Sequence, residues 1–456
     1  MAEAKEIEWV VSEFEGFERS LNGEKSSDFH GMRRDAYERF AVLGLPAATD
    51  EEWRYTNLKS LAKGDFTVGS SKSVPKIPAE VLEQKVVPGI NNRFVFINGI
   101  YSATLSQALQ GESVRVKNIR NVLKDSSDVD HELVKEHFAQ VARYQEEAFV
   151  ALNTAFVQDG ACVVIPKDTS VEEPIQLVFV TATGEHAVAT QPRVLIIAEP
   201  GSKASIVELY CQIGDEANVP TSFTAAVSEV VVMDNARLDQ YRLVQEGPGT
   251  SHVSVVHAKQ GAHSHFATYA FSLGGALTRN NVSCLLDGEH GFAGLFGLTL
   301  LAGNQHVDNH TVLDHAVPHC QSKEVYKGIY GDNAKGIFNG TIIVRPGAQK
   351  TNAIQSNQSI LLSDSASSYS KPQLKIWADD VRCTHGATVG QLDEDALFYL
   401  RSRGIRQEEA RHMLLQAFYG EVLSEIQNEH VRHYVERCAL ATLAQANSCT
   451  SDTSEE

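Results

Sequence analysis

The sequence lacks several features that would each assign a protein to a broad class. It has no run of about 18 or more apolar residues, so no transmembrane helix is expected. Its first residues are acidic and contain neither the basic start nor the apolar stretch of a signal peptide. The sequence therefore predicts a cytoplasmic protein, with the trimmed form of an organellar protein as the alternative.

A phosphate-binding loop of the GxxxxGK[ST] type is also missing. The nearest match, Gly23-Glu24-Lys25-Ser26, lacks both the Gly-Lys pair and the spacing with which such loops hold nucleotide phosphates. We therefore expect that this chain binds no nucleotide and does not hydrolyse ATP.

The seven cysteines form no CxxC pair, and their number is odd. Scattered cysteines argue against a disulfide framework, and against a complete four-cysteine cluster or zinc site within one chain. They are Cys162, Cys211, Cys284, Cys320, Cys383, Cys438 and Cys449.

Positive charge is scarce as well, since 40 Lys and Arg residues stand against 58 Asp and Glu residues, a net charge of -18. Such a chain repels nucleic acids and anionic membranes, so proteins or small cations are the expected partners. With 456 residues, 43% of them hydrophobic, the chain can bury a large core in two to four domains.

The hydrophobic patterns divide the sequence into three regions. Residues 1–157 are predicted to be mainly helical, with helices at 7–21, 28–43 and 131–157. Between them, 92–106 predicts a short hairpin that turns at Asn98-Gly99.

Residues 158–390 alternate between short strands rich in Val, Ile, Leu and Thr and turns built on Gly, Asn or Asp. Repeated strand–turn units without helices between them are typical of a solenoid, in which each coil buries its strands against the next. A β-sandwich is the alternative, but the number of similar units favours the solenoid. The turns are Pro200-Gly201, Asp234-Asn235-Ala236, Gly261-Ala262, Asp287-Gly288, Asp332-Asn333-Ala334, Pro346-Gly347-Ala348 and Asp379-Asp380.

Residues 391–456 return to helical periodicity, with helices predicted at 393–403, 407–426 and 429–444 and a stop at Gly404. The Ser-, Thr- and acid-rich tail 445–456 is predicted to be disordered. An apolar stripe on so small a terminal region predicts a surface that docks a partner.

Possible metal ligands concentrate where the last strand meets the first of these helices. Asp379, Asp380, Cys383 and His385 lie within a few residues. In a strand, Cys383 and His385 point to the same face and could reach one ion, and imidazole suits iron. Taken alone, the C-x-H pattern is weak, and a structural role is its more common explanation.

A second group of possible ligands spans residues 306–320, and it could hold Zn²⁺ or Fe²⁺. Its histidine spacings of 4, 5 and 4 fit one face of neither a strand nor a helix, so a polar solvent-facing surface is the favoured interpretation. The group consists of His306, Asp308, His310, Asp314, His315, His319 and Cys320.

Two stretches carry a resemblance to a known family. The run ADDVRCTHGATVGQLDEDALFYLRSRGI, at 378–405, resembles the C-terminal signature of the SufB/SufD family, and EEWRYTNL, at 51–58, resembles a second conserved stretch of it. The resemblance implies a right-handed parallel β-helix flanked by N-terminal and C-terminal helical domains. It also implies a non-catalytic scaffold subunit on which iron–sulfur clusters are assembled.

For the site, the resemblance implies that His385 is the functional residue and a metal ligand, with Cys383 as a weaker neighbour. The cluster would be transient and shared with a SufB-like partner that supplies a cysteine. Two departures favour the SufD branch of the family, because Asn357 stands where SufB has that cysteine and Gly386 where SufB has a glutamate.

The resemblance also implies that a SufC-like ABC ATPase docks on the C-terminal helices. A homodimer of the chain alone, including a purely structural homodimer with no metal role, is a further alternative. The alternative function is a stand-alone β-helical carbohydrate-active enzyme, such as a polysaccharide lyase. The absence of an evident carboxylate pair counts against this alternative.

Overall fold

The protein folds as a two-sheet parallel β-helix with helices at both ends of the chain, which confirms the predicted fold class. The structure is a computed structural model. It describes residues 7–21, 27–69, 74–107, 114–184, 186–214 and 221–450.

The N-terminal region is built from short helices that alternate with short strands. The helices are α1 (Glu8–Ser20), α2 (Asp28–Leu43), a 3-10 turn (Glu51–Trp53), α3 (Lys59–Lys63), α4 (Ala79–Glu83), α5 (Ile119–Lys124), α6 (His131–His137) and α7 (Ala148–Phe156). The strands are β1 (Phe66–Val68), β2 (Arg93–Ile97), β3 (Ile100–Tyr101) and β4 (Arg115–Asn118).

Local sequence accounts for several of these elements. Helix α1 buries Trp9 and Phe14 on one face, and α2 begins where the Ser27 hydroxyl accepts a hydrogen bond from the backbone N–H of His30 (3.2 Å). The hairpin β2–β3 turns at Asn98 and Gly99, both with positive φ (49° and 81°), so the predicted hairpin is confirmed.

The single long helix predicted at 131–157 is wrong, because the chain leaves the helical path between α6 and α7. The cause is a distant carboxylate. Glu229, fully buried, accepts hydrogen bonds from the backbone N–H groups of Ala139, Val141 and Ala142 at 2.9 to 3.1 Å. Those three N–H groups are therefore satisfied without a continuous helix, and Ala139 takes a positive φ of 60°.

The β-helix consists of two parallel sheets that face each other across a narrow interior. One sheet contains β5 (Ala161–Ile165), β8 (Arg193–Ala198), β10 (Phe223–Val232), β12 (Ser251–Gln260), β14 (Leu277–Leu286), β16 (His306–His315), β18 (Lys335–Val344) and β20 (Ser367–Ile376), with β7 (Ala187–Thr190) beside β10. The other contains β6 (Ile175–Ala182), β9 (Lys203–Ile213), β11 (Arg237–Gln245), β13 (His265–Ser272), β15 (Phe292–Leu301), β17 (Gln321–Tyr330), β19 (Asn352–Leu361) and β21 (Arg382–Gly390).

Each coil contributes one strand to each sheet, and the strands of every coil except the last pair with the equivalent strands of the next coil. In the first sheet the strands of the later coils begin at 223, 251, 277, 306, 335 and 367, so a coil takes 26 to 32 residues. Because the coil length varies, the sequence shows recurring strand–turn units but no repeat of fixed length.

Alternate residues of each strand point into the interior, which contains both apolar and buried polar side chains. Glu208 is a polar example, because its buried carboxylate accepts hydrogen bonds from Tyr210 (2.7 Å), Ser228 (2.9 Å) and Gln240 (2.7 Å). Buried polar groups paired in this way fix the register of successive coils.

After the β-helix the chain forms α8 (Glu394–Ser402), α9 (Gln407–Glu425) and α10 (Glu429–Thr450). The carboxylate of Asp393 caps α8 by accepting hydrogen bonds from the N–H groups of Asp395 and Ala396, and Gly404 follows with a φ of 88°. Helix α10 runs past the predicted end at 444, while the rest of the predicted disordered tail, 451–456, lies outside the described residues. No helix in the described ranges has the length and apolarity that crossing a membrane requires.

Candidate functional site at the open end of the β-helix

Among the residues that the structure describes, two strand edges of the last coil have no partner. Strand β20 pairs there only with β18, and β21 only with β19. Trp377, which follows β20, is 61% exposed, and Val389 in β21 is 46% exposed. Free backbone groups beside exposed apolar side chains mark a surface suited to binding another strand.

His385 lies at this open end, on the interior side of the last strand. It stands in register with Gln355 of β19, which stands in register with Glu324 of β17, and both of those side chains are buried. His385 itself is exposed, because no further coil in the described ranges covers β21. Its imidazole is therefore open to solvent at the end of the β-helix.

Cys383 faces the same side of β21 as His385, as the two-residue spacing predicts. It is in register with the buried Ala353 and packs partly against the apolar interior. Burial raises the pKa of the Cys383 thiol, so the protonated form is favoured. Cys383 is thus less available as a ligand than the exposed His385.

The two aspartates of the predicted ligand group have other partners. Asp379 accepts a hydrogen bond from the Gln349 side chain (2.8 Å), and Asp380 forms an ion pair with Lys350. These contacts fasten the last corner to the one before it. The structure therefore brings Cys383 and His385 together and assigns the aspartates to the turn.

The default interpretation of a polar residue such as Asn357 is a solvated turn or strand-edge position, and the structure shows otherwise. Its side chain is buried in β19 and donates a hydrogen bond from Nδ2 to the Ser370 hydroxyl of β20 (2.9 Å). Because β19 and β20 belong to opposite sheets, this hydrogen bond crosses the interior. Asn357 lies two residues after Gln355 on β19, so both side chains face the interior. Gln355 is in turn in register with His385 of β21.

Sequence reasoning does not identify Glu324, which lies behind the candidate site. Its carboxyl accepts a hydrogen bond from Gln355 Nε2 (2.7 Å), and burial raises its pKa to about 7. No periodic signal marks this residue, since only the coil register reveals that Glu324, Gln355 and His385 form one interior column.

The second predicted ligand group is divided by the fold, and its favoured interpretation as a solvent-facing surface is wrong for most of its members. His315 points inward and contacts the Ser322 hydroxyl (2.9 Å), and burial lowers its pKa to about 4. Cys320 is also buried, whereas His319 is exposed at a corner.

His306, Asp308 and His310 lie on the outer face of β16, beneath the N-terminal segment at 51–56, whereas Asp314 forms an ion pair with Arg345 (2.8 Å). The ring of His310 lies between the carboxylates of Asp308 (2.9 Å) and Glu52 (3.1 Å), and Arg279 donates to Asp308 (2.6 Å). Burial raises the pKa of Asp308, but the hydrogen bond with His310 and the charge of Arg279 hold it below its usual range. This group therefore fastens the N-terminal segment to the β-helix.

No three histidine, cysteine or acidic side chains in the described part of the chain are arranged to hold a metal ion. At the open end, Cys383 and His385 can supply at most two ligands. A stable metal or cluster site at this position requires further ligands from a second molecule or from solvent.

A groove of about 370 Å³ crosses the outer face of the first sheet beside the N-terminal region, where a β-helical enzyme would bind a sugar chain. Its acidic groups are engaged in ion pairs. Glu147 pairs with His257 (2.7 Å), and Glu52 with His310 (3.1 Å). The groove therefore offers no uncommitted carboxylate pair for general acid–base chemistry.

Comparison with known proteins defines the class to which this fold and site belong. Residues 179–418 match the family model "SUF system FeS cluster assembly, SufBD core domain", and residues 7–177 match the "SufBD protein N-terminal region". The chain belongs to the SufBD family of iron–sulfur cluster assembly proteins.

Among curated relatives, the chain is similar to SufD. It is 30% identical to SufD of Escherichia coli over 397 residues, 86% of this chain and 88% of the relative, and 30% identical to SufD of Bacillus subtilis over 335 residues, 72% and 74%. A SufBD family protein of Synechocystis is 32% identical over 428 residues, 92% of each chain. The predicted family is thereby confirmed.

Proposed function

We propose that this chain is the SufD-type subunit of a SufB–SufC–SufD scaffold on which iron–sulfur clusters are assembled. The observation that carries the proposal is the open end of the β-helix, where two free strand edges and His385 lie together. In this role the chain is a non-catalytic cytoplasmic subunit, and the ATPase partner hydrolyses ATP. The division into domains at 1–157, 158–390 and 391–456 is part of the proposal.

The two free edges differ in how well they resist pairing. Strand β20 contains Lys371, Pro372 and Lys375, and lysine and proline on an edge strand discourage the addition of another strand. Strand β21, with the sequence RCTHGATVG, contains neither residue type. We therefore assign the main contact with the SufB-like partner to β21.

The backbone of β21 is oriented for this contact. The N–H of Arg382 donates to the carbonyl of Thr351 (2.8 Å), within the β-helix. Because N–H groups alternate along a strand, those of His385 and Ala387 point to the free edge. A strand added by the partner would accept hydrogen bonds from these groups beside the His385 side chain.

His385 then acts as a ligand for iron or for the nascent cluster, which is the cargo of the scaffold. Neutral imidazole binds iron well, and exposure at the end of the β-helix gives the ring access to the partner. Cys383 is the second ligand in reach. With two ligands at most from this chain, the SufB-like partner supplies the rest, including a cysteine, and the cluster is shared and transient.

The C-terminal helices are suited to bind the SufC-like ABC ATPase. One side of α9 is fixed to β17 by ion pairs of Lys323 with Glu425 (2.7 Å) and of Lys327 with Glu421 (2.5 Å). Other residues of these helices leave apolar side chains exposed: Phe398 at 73%, Tyr399 at 55%, Met413 at 44% and Leu440 at 46%. An apolar surface of this kind on a charged, acidic protein is suited to a protein partner.

Co-expression with SufB-like and SufC-like proteins tests the proposal. We expect one complex that contains all three chains and, after reconstitution, iron and sulfide, measured by light scattering with chromatography and by metal analysis. Expressed alone, the chain is expected to pair with a second copy through the same edge. Failure to bind either partner would refute the scaffold assignment.

Two substitutions separate the edge from the ligand. Ala387→Pro removes an N–H at the free edge and is expected to release the SufB-like partner, whereas Ala387→Val keeps that N–H and serves as the matched control. His385→Ala is expected to leave the complex intact and to lower its iron and sulfide content. Full cluster assembly by His385→Ala would refute the site and leave the scaffold proposal standing.

A further inference from the structure

Three exposed histidines lie one above another at the same corner of three successive coils. His263, His290 and His319 each occupy the left-handed backbone region, with φ of 54°, 62° and 64°. The N–H of His263 donates to the carbonyl of Glu289 (2.8 Å), and the N–H of His319 donates to that of Gln349 (2.9 Å). The strands that follow pair in register, His265 with Phe292 and Phe292 with Gln321, so the three backbone positions lie in line.

The side chains repeat this alignment. The rings of His263 and His290 are stacked with centroids 4.8 Å apart, and those of His290 and His319 with centroids 5.0 Å apart, at interplanar angles of 12° and 13°. Within the described ranges, no hydrogen bond or ion pair engages the nitrogens of these rings. In contrast, the rings of His252 and His257 are each committed to a glutamate.

We call the stack of His263, His290 and His319 the histidine ladder. It has three members because the equivalent corner positions of the coils before and after it are not histidines. Asn235 occupies the equivalent corner position of the preceding coil, with a φ of 58°, and Lys350 that of the following coil, with a φ of 61°. Lys350 is held in an ion pair with Asp380. The imidazoles are therefore a confined cluster, separated from His385, which lies on the interior side of the last strand.

We propose that this histidine ladder binds a divalent transition-metal ion, such as Ni²⁺, Cu²⁺ or Zn²⁺, through two neighbouring imidazoles, with water completing the coordination. Imidazole suits these ions, and their affinity for nitrogen ligands is high. The site is independent of the proposed scaffold function and of His385.

The geometry requires only a change of side-chain rotamer. In their present rotamers, the three imidazoles do not converge on one point. Two bonds of about 2.0–2.1 Å from zinc to nitrogen allow the two nitrogens to lie at most about 4 Å apart. Rings separated by 4.8–5.0 Å reach that distance when two of them turn about their side-chain bonds, and exposed side chains turn freely.

His290 is the decisive residue, because it belongs to both neighbouring pairs. Titration of Ni²⁺ into the full chain, prepared without a histidine tag, measures the affinity by calorimetry. Loss of a group that only hydrogen-bonds to a metal ligand already weakens metal binding about 10- to 100-fold, so loss of a ligand in His290→Asn is expected to weaken binding at least about 10-fold. Asparagine tolerates positive φ, which preserves the backbone of the corner.

Matched controls keep this test decisive. His433→Asn, at an exposed position on α10, is expected to bind Ni²⁺ like the parent chain, and His385→Asn reports any Ni²⁺ held at the open end. The double substitution of His263 and His319 by Asn leaves His290 without a neighbour and is expected to weaken binding as much as His290→Asn. Unchanged affinity in His290→Asn, or a loss confined to His385→Asn, would overturn the proposal.

Discussion

At its N-terminal end the β-helix is covered by other parts of the chain, whereas at its C-terminal end two strands keep free edges. The sheets begin with the short antiparallel strands β3 and β4, and the helix α5 lies against β4. Strands β5 and β8 are buried along their whole length, while every residue of β21 except Cys383 is exposed. An uncapped solenoid end exposes the edges of its last coil, so this end is the surface at which the proposed partner would bind.

The two ends also neutralise buried acids differently. Near the N-terminal end, Glu229 forms an ion pair with Arg193 at 2.5 Å, and both side chains are fully buried. Near the open end, Glu324 is equally buried and is contacted by the Gln355 amide and the Thr311 hydroxyl, with no ion pair to it among the described residues, and burial raises its pKa to about 7. One acid is held beside a cation, whereas burial favours the protonated form of the other, so the two respond differently to mutation and to pH.

The largest effect is expected at the covered end. Glu229→Ala removes the partner of Arg193 and the acceptor for three backbone N–H groups, and it leaves a buried charge without compensation. Breaking such a pair costs about 3–5 kcal/mol, which urea denaturation measures as a fall in the free energy of unfolding. The exposed Glu289→Ala serves as the control, with a change within about 0.5 kcal/mol. Equal effects of the two substitutions would contradict this account of the covered end.

Near the open end, Glu324→Gln is expected to change the pH dependence of stability. The folded-state pKa of about 7 lies above the ordinary value of 4.5, so the stability contributed by the protonated acid is complete below pH 4.5 and is lost as the pH rises through 7. Glutamine cannot ionise, so between pH 4.5 and pH 8 the variant gains about 3 kcal/mol relative to the parent chain.

Denaturation curves at several pH values measure this gain, with the exposed Glu409→Gln as the matched control. A gain that is the same at pH 4.5 and at pH 8 would show that Glu324 does not change its ionisation on folding.

Features set by neighbouring residues could be predicted from the sequence. The Asn98-Gly99 turn, the stop at Gly404 and the strand–turn texture of the β-helix each depend on a few adjacent side chains. The predicted helix at 131–157 fails because Glu229, far away in the chain, binds the N–H groups that a helix would use.

The candidate site was predictable only in part, for the same reason. The C-x-H pattern places Cys383 and His385 on one face of a strand, as the structure has them. A polar residue in a strand predicts exposure, yet Asn357 is buried because a second sheet faces it. The column behind His385 and the histidine ladder depend on coils of unequal length, so their members align only when the register is known.

A smaller effect is expected for the contact that joins the two sheets near the open end. Asn357→Ala removes the hydrogen bond to Ser370 and is expected to cost about 1 kcal/mol of unfolding free energy. Asn352→Ala, at an exposed position of the same strand, is the matched control. Faster amide hydrogen exchange in β20 of the Asn357 variant alone would locate the change, and equal exchange in both variants would count against the contact.

The smallest effect is expected for His385 itself in the isolated chain, because no coil covers it. His385→Ala should change the free energy of unfolding by no more than about 0.5 kcal/mol. One coil deeper in the same column, Gln355→Ala leaves buried groups unpaired and is expected to cost about 1–3 kcal/mol. If the partner adds the missing coil, the cost of His385→Ala should rise in the complex, as denaturation of the free chain and of the complex would reveal. An unchanged cost in the complex would mean that the partner does not cover His385.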